Sequence, residues 1–171
     1  MNGVQVLGSA IGFNHRMAKS IIGDMGLELI NRKVSGSTIN QAGTIFAHAV
    51  LSEDMFIQAI AKGGPTLRVS GGWDAKWGMA IPERPVQTVE WDAEMTLNLE
   101  TFMPYVDEVF AATDAYFATL GEAELDREVQ AMGRAQPLGE LLATLGVFHM
   151  GEHLGEIAAL KGVMGVKGLP F

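Results

Sequence analysis

The stretch Pro137–Phe171, PLGELLATLGVFHMGEHLGEIAALKGVMGVKGLPF, constrains the fold more than any other part of the chain. Leu138, Leu141, Leu142, Leu145, Ile157 and Leu160 recur at helical spacing and predict one long helix with a core-facing stripe. His149, His153 and Glu156 interrupt that stripe on its own face. Residues four apart lie one turn above each other, so both imidazoles point the same way and Glu156 follows one turn on. Buried polar groups are costly unless something satisfies them. Three on one inward face suggest a shared ligand, and a divalent metal is the simplest.

Length and composition narrow the classes. A chain of 171 residues is the size of a single domain and can bury a real core. We expect one domain over 1–171. Apolar residues at 48% and charged residues at 19% argue for a globular chain. Twelve basic residues against 20 acidic ones give a net charge of −8, the wrong sign for a nucleic-acid partner. With no cysteine, disulfides and thiolate metal sites are excluded, and a reducing cytoplasm is permitted. The N-terminus, MNGVQVLGSAIGFNHR, does not read as a signal peptide. No apolar run approaches the roughly 20 residues of a membrane span. The expected setting is the cytoplasm, with no membrane partner.

In chain order, residues from about Ser9 to Lys33 predict helix 1, with Ser9 as N-cap and Phe13, Met17, Ile21 and Met25 facing the core. His15 falls off that stripe and reads as solvated or locally bonded. Helix 2 is expected from roughly Asn40, its N-cap, to Lys62, stopped by Gly63-Gly64-Pro65. Its apolar set is Ile45, Phe46, Ala49, Val50, Phe56 and Ile60. His48 borders the set, with Ser52 one turn later. Glu53 and Asp54 read either as part of a shared site or as solvent-facing.

Residues 63 to about 91 form a long Gly- and Pro-rich connection that holds all three tryptophans. So long a link is uncommon in a compact domain and usually functional. It reads as a lid or wall over a ligand pocket, with Trp73 and Trp77 facing the ligand, or as a loop pinned down by those rings. Helix 3 is expected from about Asp92 to 119–121, with Met95, Leu99, Phe102, Val106, Phe110 and Phe117 inward and a kink at Pro104. Its acidic residues, among them Glu94, Glu100, Asp107, Glu108 and Asp114, read as a solvated face. Leu125–Met132 can be extended, with Leu125 and Val129 packed down. Pro137 suits the first turn of helix 4. Gly162, Gly165 and Gly168 end it, Lys161 favours its negative end, and Leu169-Pro170-Phe171 is expected to fold back as an apolar tail. Four helices with one long crossover between helices 2 and 3 predict an all-α four-helix bundle, and the crossover permits helices 2 and 3 to run parallel.

His48, His149 and His153 are the expected metal ligands. Neutral imidazole suits zinc, nickel, iron(II) and copper. Three protein nitrogens leave positions open, as in catalytic rather than closed sites, for a water of lowered pKa, a thiol or a carbonyl. Glu156 is read as a fourth ligand, as a partner fixing a ring nitrogen, or as a general base. Against this stands a reading in which the histidines are core-edge residues bonded to Glu53, Glu156 or backbone carbonyls. H-x-x-x-H lacks the glutamate that a zincin carries at its second position.

The segments TINQAGTIFAHAVLSED (38–54), GEAELDREVQAMGRAQPLGELLATLGVFHMGEHLGEIAALKG (121–162) and the ending GVKGLPF resemble the DinB-like (damage-inducible) family of four-helix bundles. The family pattern places one histidine on helix 2 and a pair four apart on the last helix, matching His48, His149 and His153. The resemblance implies an up-down-down-up topology, a divalent metal (zinc or nickel first, then iron or manganese) and a homodimer. It also implies a small-molecule substrate, with thiol transfer from a low-molecular-weight thiol such as bacillithiol or mycothiol as the leading chemistry. Hydrolysis by metal-bound water comes second. Related modules occur in ergothioneine-synthesis enzymes. Where the family commonly has Gln after His-x-Gly, this chain has Glu156, which we read as the catalytic candidate. A noncatalytic bundle braced by the metal, or one carrying a ligand without turnover, is the rival reading. Without cysteine, a thiol route requires an external thiol.

Overall fold

A helix whose surface is buried on every side must be central, and Ala42–Asp54 (α3) is such a helix. All of its residues but His48 are buried. The computed structural model describes residues 1–79, 81–83 and 86–171. Ala80, Arg84 and Pro85 of the long connection lie outside the described residues. The elements before α3 are α1 (Gly3–Ile22) and α2 (Leu27–Ile30). A π-helical segment, Met55–Ala61, continues α3. The connection then holds α4 (Leu67–Ser70), α5 (Trp73–Trp77) and α6 (Val89–Glu94). Next come α7 (Leu99–Thr119), a 3-10 turn (Glu122–Asp126) and an antiparallel hairpin of β1 (Glu128–Ala131) and β2 (Arg134–Pro137). The last long stretch joins α8 (Leu138–Leu141), a second π segment (Leu142–Phe148) and α9 (His149–Val163). The architecture is therefore mostly helical with one small sheet. Both α1 and α3 pack on α7 and α9.

The apolar core falls into two clusters. One surrounds α3, α7 and α9 and includes Phe46, Phe102, Phe110 and Met150. The other gathers Ile11, Ile57, Phe117, Val129, Leu138 and Leu142 where the first π segment, the hairpin and α8 meet. Between them, α1, α3 and α7 contribute polar groups. They are Asn14 and His15 on α1, Ser52, Glu53 and Asp54 on α3, and Thr113 on α7, all buried. On the last stretch the second π segment spans this level, between Leu142 and Met150.

The helix ends differ from expectation for local reasons. Helix 1 starts at Gly3, not Ser9, because Asn2 and Gln5 form a reciprocal capping box. Its inward face is Ile11, Asn14, His15, Ala18, Ile21 and Ile22, and Phe13 is exposed. Of the expected stripe, Ile21 and Met25 are buried and Met17 packs against the core, while Phe13 falls outside because a strict four-residue repeat drifts about 40° per step around the helix axis. Helix 1 also stops early, and α2 is a separate turn. The N-cap of α3 is Gln41, not Asn40. Helix 3 breaks at 95–98 and restarts with Asn98 capping Glu100, and Pro104 lies inside α7. The segment 125–132 begins in the 3-10 turn before β1, where Val129 is buried. Lys161 stands in the last turn of α9 as expected, and its side chain is buried there. Gly168 lies against the backbone of Ala158, so the chain turns back on α9, but Leu169 and Phe171 stay exposed.

The hairpin turn is Met132-Gly133, with φ of 53° and 79°. Two positive φ values in a two-residue loop favour Asn or Asp followed by Gly, and methionine is strained there. Met132 is 76% exposed, so no packing opposes a change. Met132→Asn should raise the unfolding free energy by about 1 kcal/mol in urea denaturation, with unchanged m-value.

Candidate metal centre

His48 lies in the middle of α3, and His149 and His153 occupy the first two turns of α9. These two helices pack directly on each other. The Nε2 atoms of His48 and His149 are 3.1 Å apart, as are those of His149 and His153. Among the described residues, the three donor atoms lie within 4.8 Å of one another and can hold a metal ion. The rings meet edge to face, and Phe56 sets its ring against His149 at 5.6 Å. His153 is buried, while His48 and His149 are half-buried.

The donor set fits a cation. A neutral imidazole nitrogen offers either one proton or one lone pair, so Nε2 of His149 cannot satisfy two neighbours at 3.1 Å. One ion between the three nitrogens satisfies all of them. Imidazole nitrogens about 2.0–2.1 Å from an ion stand about 2.8–3.4 Å from each other between octahedral and tetrahedral angles, and the two spacings of 3.1 Å fall in that range. The site also favours the neutral form that ligation needs. Burial, reinforced by His153 and His48, lowers the pKa of His149 to about 3.

Glu156 does not join the triad of nitrogens. Its Oε2 lies 2.6 Å from Nδ1 of His153, the nitrogen facing away from the other imidazoles. A carboxylate there holds the proton on Nδ1, orients the ring and leaves Nε2 as the donor. The general-base reading therefore has to share Glu156 with this contact. Two groups that the sequence reading passed over stand beside it. Nε2 of Gln87 is 3.4 Å from the same Nδ1, and Asn40 Nδ2 donates to Gln87 Oε1 at 3.3 Å. Gln87 sits in an irregular connection, where no periodicity marks it. Asn40 had the look of an N-cap, a role that hid its side chain's reach.

The other expected site residues fall elsewhere. Glu53 is buried, 2.9 Å from His15 Nε2, and accepts a hydrogen bond from Thr113 at 2.7 Å. His15 is 5% exposed and stacks on Phe110 at 3.9 Å, so it is a core residue and not a solvated one. Asp54 accepts from the backbone of Leu67 and Arg68 and from the Tyr105 hydroxyl. Burial raises its pKa, against the pull of those three donors. Both carboxylates are buried, and neither belongs to the cluster of His48, His149 and His153.

Trp73 and Trp77 are buried and stack on each other at 6.1 Å. Both rings contact Tyr105, and Trp77 also contacts Phe102. Trp73 Nε1 donates to Glu108 at 2.9 Å. These are the contacts of anchors that fasten the connection to α7. The connection does form a wall. A cavity of about 310 Å³ lies between it and α3, bounded by Leu51 and Met55 on one side and Thr66, Arg68 and Asp74 on the other. Arg68 ties this wall together, binding Asp74 and the carbonyls of Ile81 and Pro82. The histidines are not among the described lining residues.

A family model described as the DinB superfamily matches residues 21–157. No curated protein matches the chain. The crystal structure of a conserved protein of locus from Enterococcus faecalis is similar in fold, with a TM-score of 0.76 over 95% of this chain and 99% of that one. The two sequences are 16% identical, so the likeness is one of fold.

Because Glu53 serves the contact between α1, α3 and α7, Glu53→Ala should cost about 3 kcal/mol of stability in urea unfolding, leaving buried His15 and Thr113 without their partner. The same variant should keep the wild-type metal content by elemental analysis.

Proposed function

Since the chain belongs to the DinB superfamily, we propose that it is a divalent-metal protein acting as a metal-dependent enzyme on a small molecule. The observation that carries this reading is the convergence of the His48, His149 and His153 nitrogens within bonding reach of one cation. Zinc or nickel is the first expectation for three imidazoles, with iron or manganese next. A divalent ion there supplies Lewis acidity and lowers the pKa of a bound thiol or water. Transfer of a low-molecular-weight thiol is the leading chemistry, and hydrolysis is the second. The absence of cysteine makes the thiol an external co-substrate.

The chain's own residues supply the setting. Glu156 holds the proton on Nδ1 of His153 and keeps that ring aimed. In the proposal it also takes up a substrate proton, for which its partly exposed carboxylate is suited. Phe56 closes one side of the site with apolar surface. Trp73 and Trp77 act on the ligand through the connection that they pin, which walls the neighbouring cavity. The proposal takes 1–171 as one domain with the four long helices in up-down-down-up order. It also includes a homodimer, for which Phe13 and Phe148, 52% and 67% exposed, offer apolar surface. The expected setting is cytoplasmic. The net charge of −8 gives no basic footprint for nucleic acid. Among the described residues, no helix is long and apolar enough to cross a membrane.

Elemental analysis of protein purified without chelator should find one divalent ion per chain, lost in His149→Ala. No metal at any loading would overturn the reading. Glu156→Gln should retain the metal with affinity lowered roughly 10-fold, measured by chelator competition. Turnover separates catalysis from bracing. A metal held only by the folded chain stabilises it by mass action in either case, several kcal/mol at saturating metal, and raises the unfolding midpoint. In the proposed enzyme, chelation also abolishes turnover, and restoring the metal restores it.

A further inference from the structure

The histidines of α9 follow directly on an irregular turn. The π segment Leu142–Phe148 ends directly before His149. A π turn holds more residues than an α turn, so everything beyond it is rotated relative to an uninterrupted α-helix. One extra residue amounts to about 100°. The burial pattern records the shift. Leu138, Leu142, Gly146, Met150, Leu154 and Ala158 are buried at a strict spacing of four, which an ideal α-helix cannot keep on one face. Losing the π turn would therefore swing His149 and His153 away from α3.

Two contacts to α1 hold this phase. Asn14, 9% exposed, donates from Nδ2 to the carbonyl of Val147 at 2.7 Å, within the π segment and two residues before His149. At the far end of α9, Lys161 is 1% exposed and donates to the carbonyl of Ile21 at 2.8 Å and to Asp24. Gly146 lies against Ile11, and Gly151 faces the Asn14 amide, so α1 approaches closely along the same line.

We propose that Asn14 is a positioning residue for the metal centre: by bonding the Val147 carbonyl it keeps the π turn in place and so sets the direction of His149 and His153. Lys161 is the second clamp. This rests on the metal reading above and adds the residues that make the site possible without touching it. Asn14 side-chain loss therefore damages ligand geometry more than it damages the fold.

The test compares wild type with Asn14→Leu, which keeps the volume and removes the donor, and with Lys161→Met. Asn31→Ala is the control. It removes the bonds of Asn31 to the backbone of Leu27 and Leu97, remote in sequence from α9. Cobalt(II) affinity by chelator competition, cobalt d–d absorption and the thermal midpoint of metal-free protein are read for each. N14L should bind cobalt at least 10-fold more weakly with shifted d–d bands. N31A should keep the wild-type affinity and spectrum while losing stability. NMR cross-peaks between the His48 and His149 rings in metal-free protein read the same geometry without a metal, and they should weaken in N14L. If N14L does not fold, K161M is expected to show the same pattern. Wild-type affinity, spectrum and ring cross-peaks in the folded variants would overturn the proposal. A wild-type protein that takes up no cobalt would instead overturn the metal reading, and the ring cross-peaks would then decide the role of Asn14.

Discussion

The structure depends on a buried helix that carries polar groups. With nearly all of α3 out of solvent, the charged and amide side chains on it and at its cap take partners from neighbours, because an unsatisfied one would cost more than a hydrogen bond returns, and among the described residues the Thr44 hydroxyl is left without one. Gln41 is met by Asp92 and the carbonyl of Met95. Glu53 is met by His15 and Thr113, and Asp54 by two backbone amides and Tyr105. Through these residues α3 dictates where α1, α6, α7 and the connection lie. His48 is the exception in kind. Its partners on α9 are other imidazoles, which can share a cation but cannot all satisfy one another.

How much of this was legible in the sequence follows from the range of each interaction. The helices, their apolar content and the His149–His153 pair are local, and spacing revealed them. The family pattern placed His48 with the pair. The partners of Glu53 and Asp54 were not legible, since they lie tens of residues away and the sequence shows only a carboxylate. His15 misled for a geometric reason. A stripe counted in fours from Phe13 drifts around the helix, and the true inward line runs through Asn14 and His15. The π segments were illegible too. The apolar residues around Leu145 fit an ordinary helix, yet in the folded chain Gly146 takes the buried place and Leu145 is only partly covered.

Glycine-rich segments misled in the opposite direction. Residues 63–91 look structureless, yet their described part holds two short helices and the start of a third, fastened by named contacts. Thr66 caps α4 and Thr88 caps α6, and Asp54 accepts the first two amides of α4. Gly72 and Gly78 take up left-handed conformations at either end of α5, which a side chain would resist. The two indoles of α5 then sink against Tyr105. Tryptophan in a loop is thus accounted for first by anchoring, and any part it plays toward a ligand runs through the wall that it keeps in place.

The two π segments close the argument about how the centre is built. One follows α3 and the other precedes α9, so the irregular turns sit on the two helices that contribute the imidazoles, and they pack on each other. A π turn exposes carbonyls that an α turn would consume, and it shifts the face of the helix beyond it. Both consequences are used here. The carbonyl of Val147, in the π segment, accepts from Asn14, and the shifted face presents His149 and His153 toward His48. A regular helix with the same residues would keep its backbone bonds and point those imidazoles elsewhere. The departure from ideal helical geometry at this level therefore has a local cost and a specific return: three nitrogens from two helices brought to a common point.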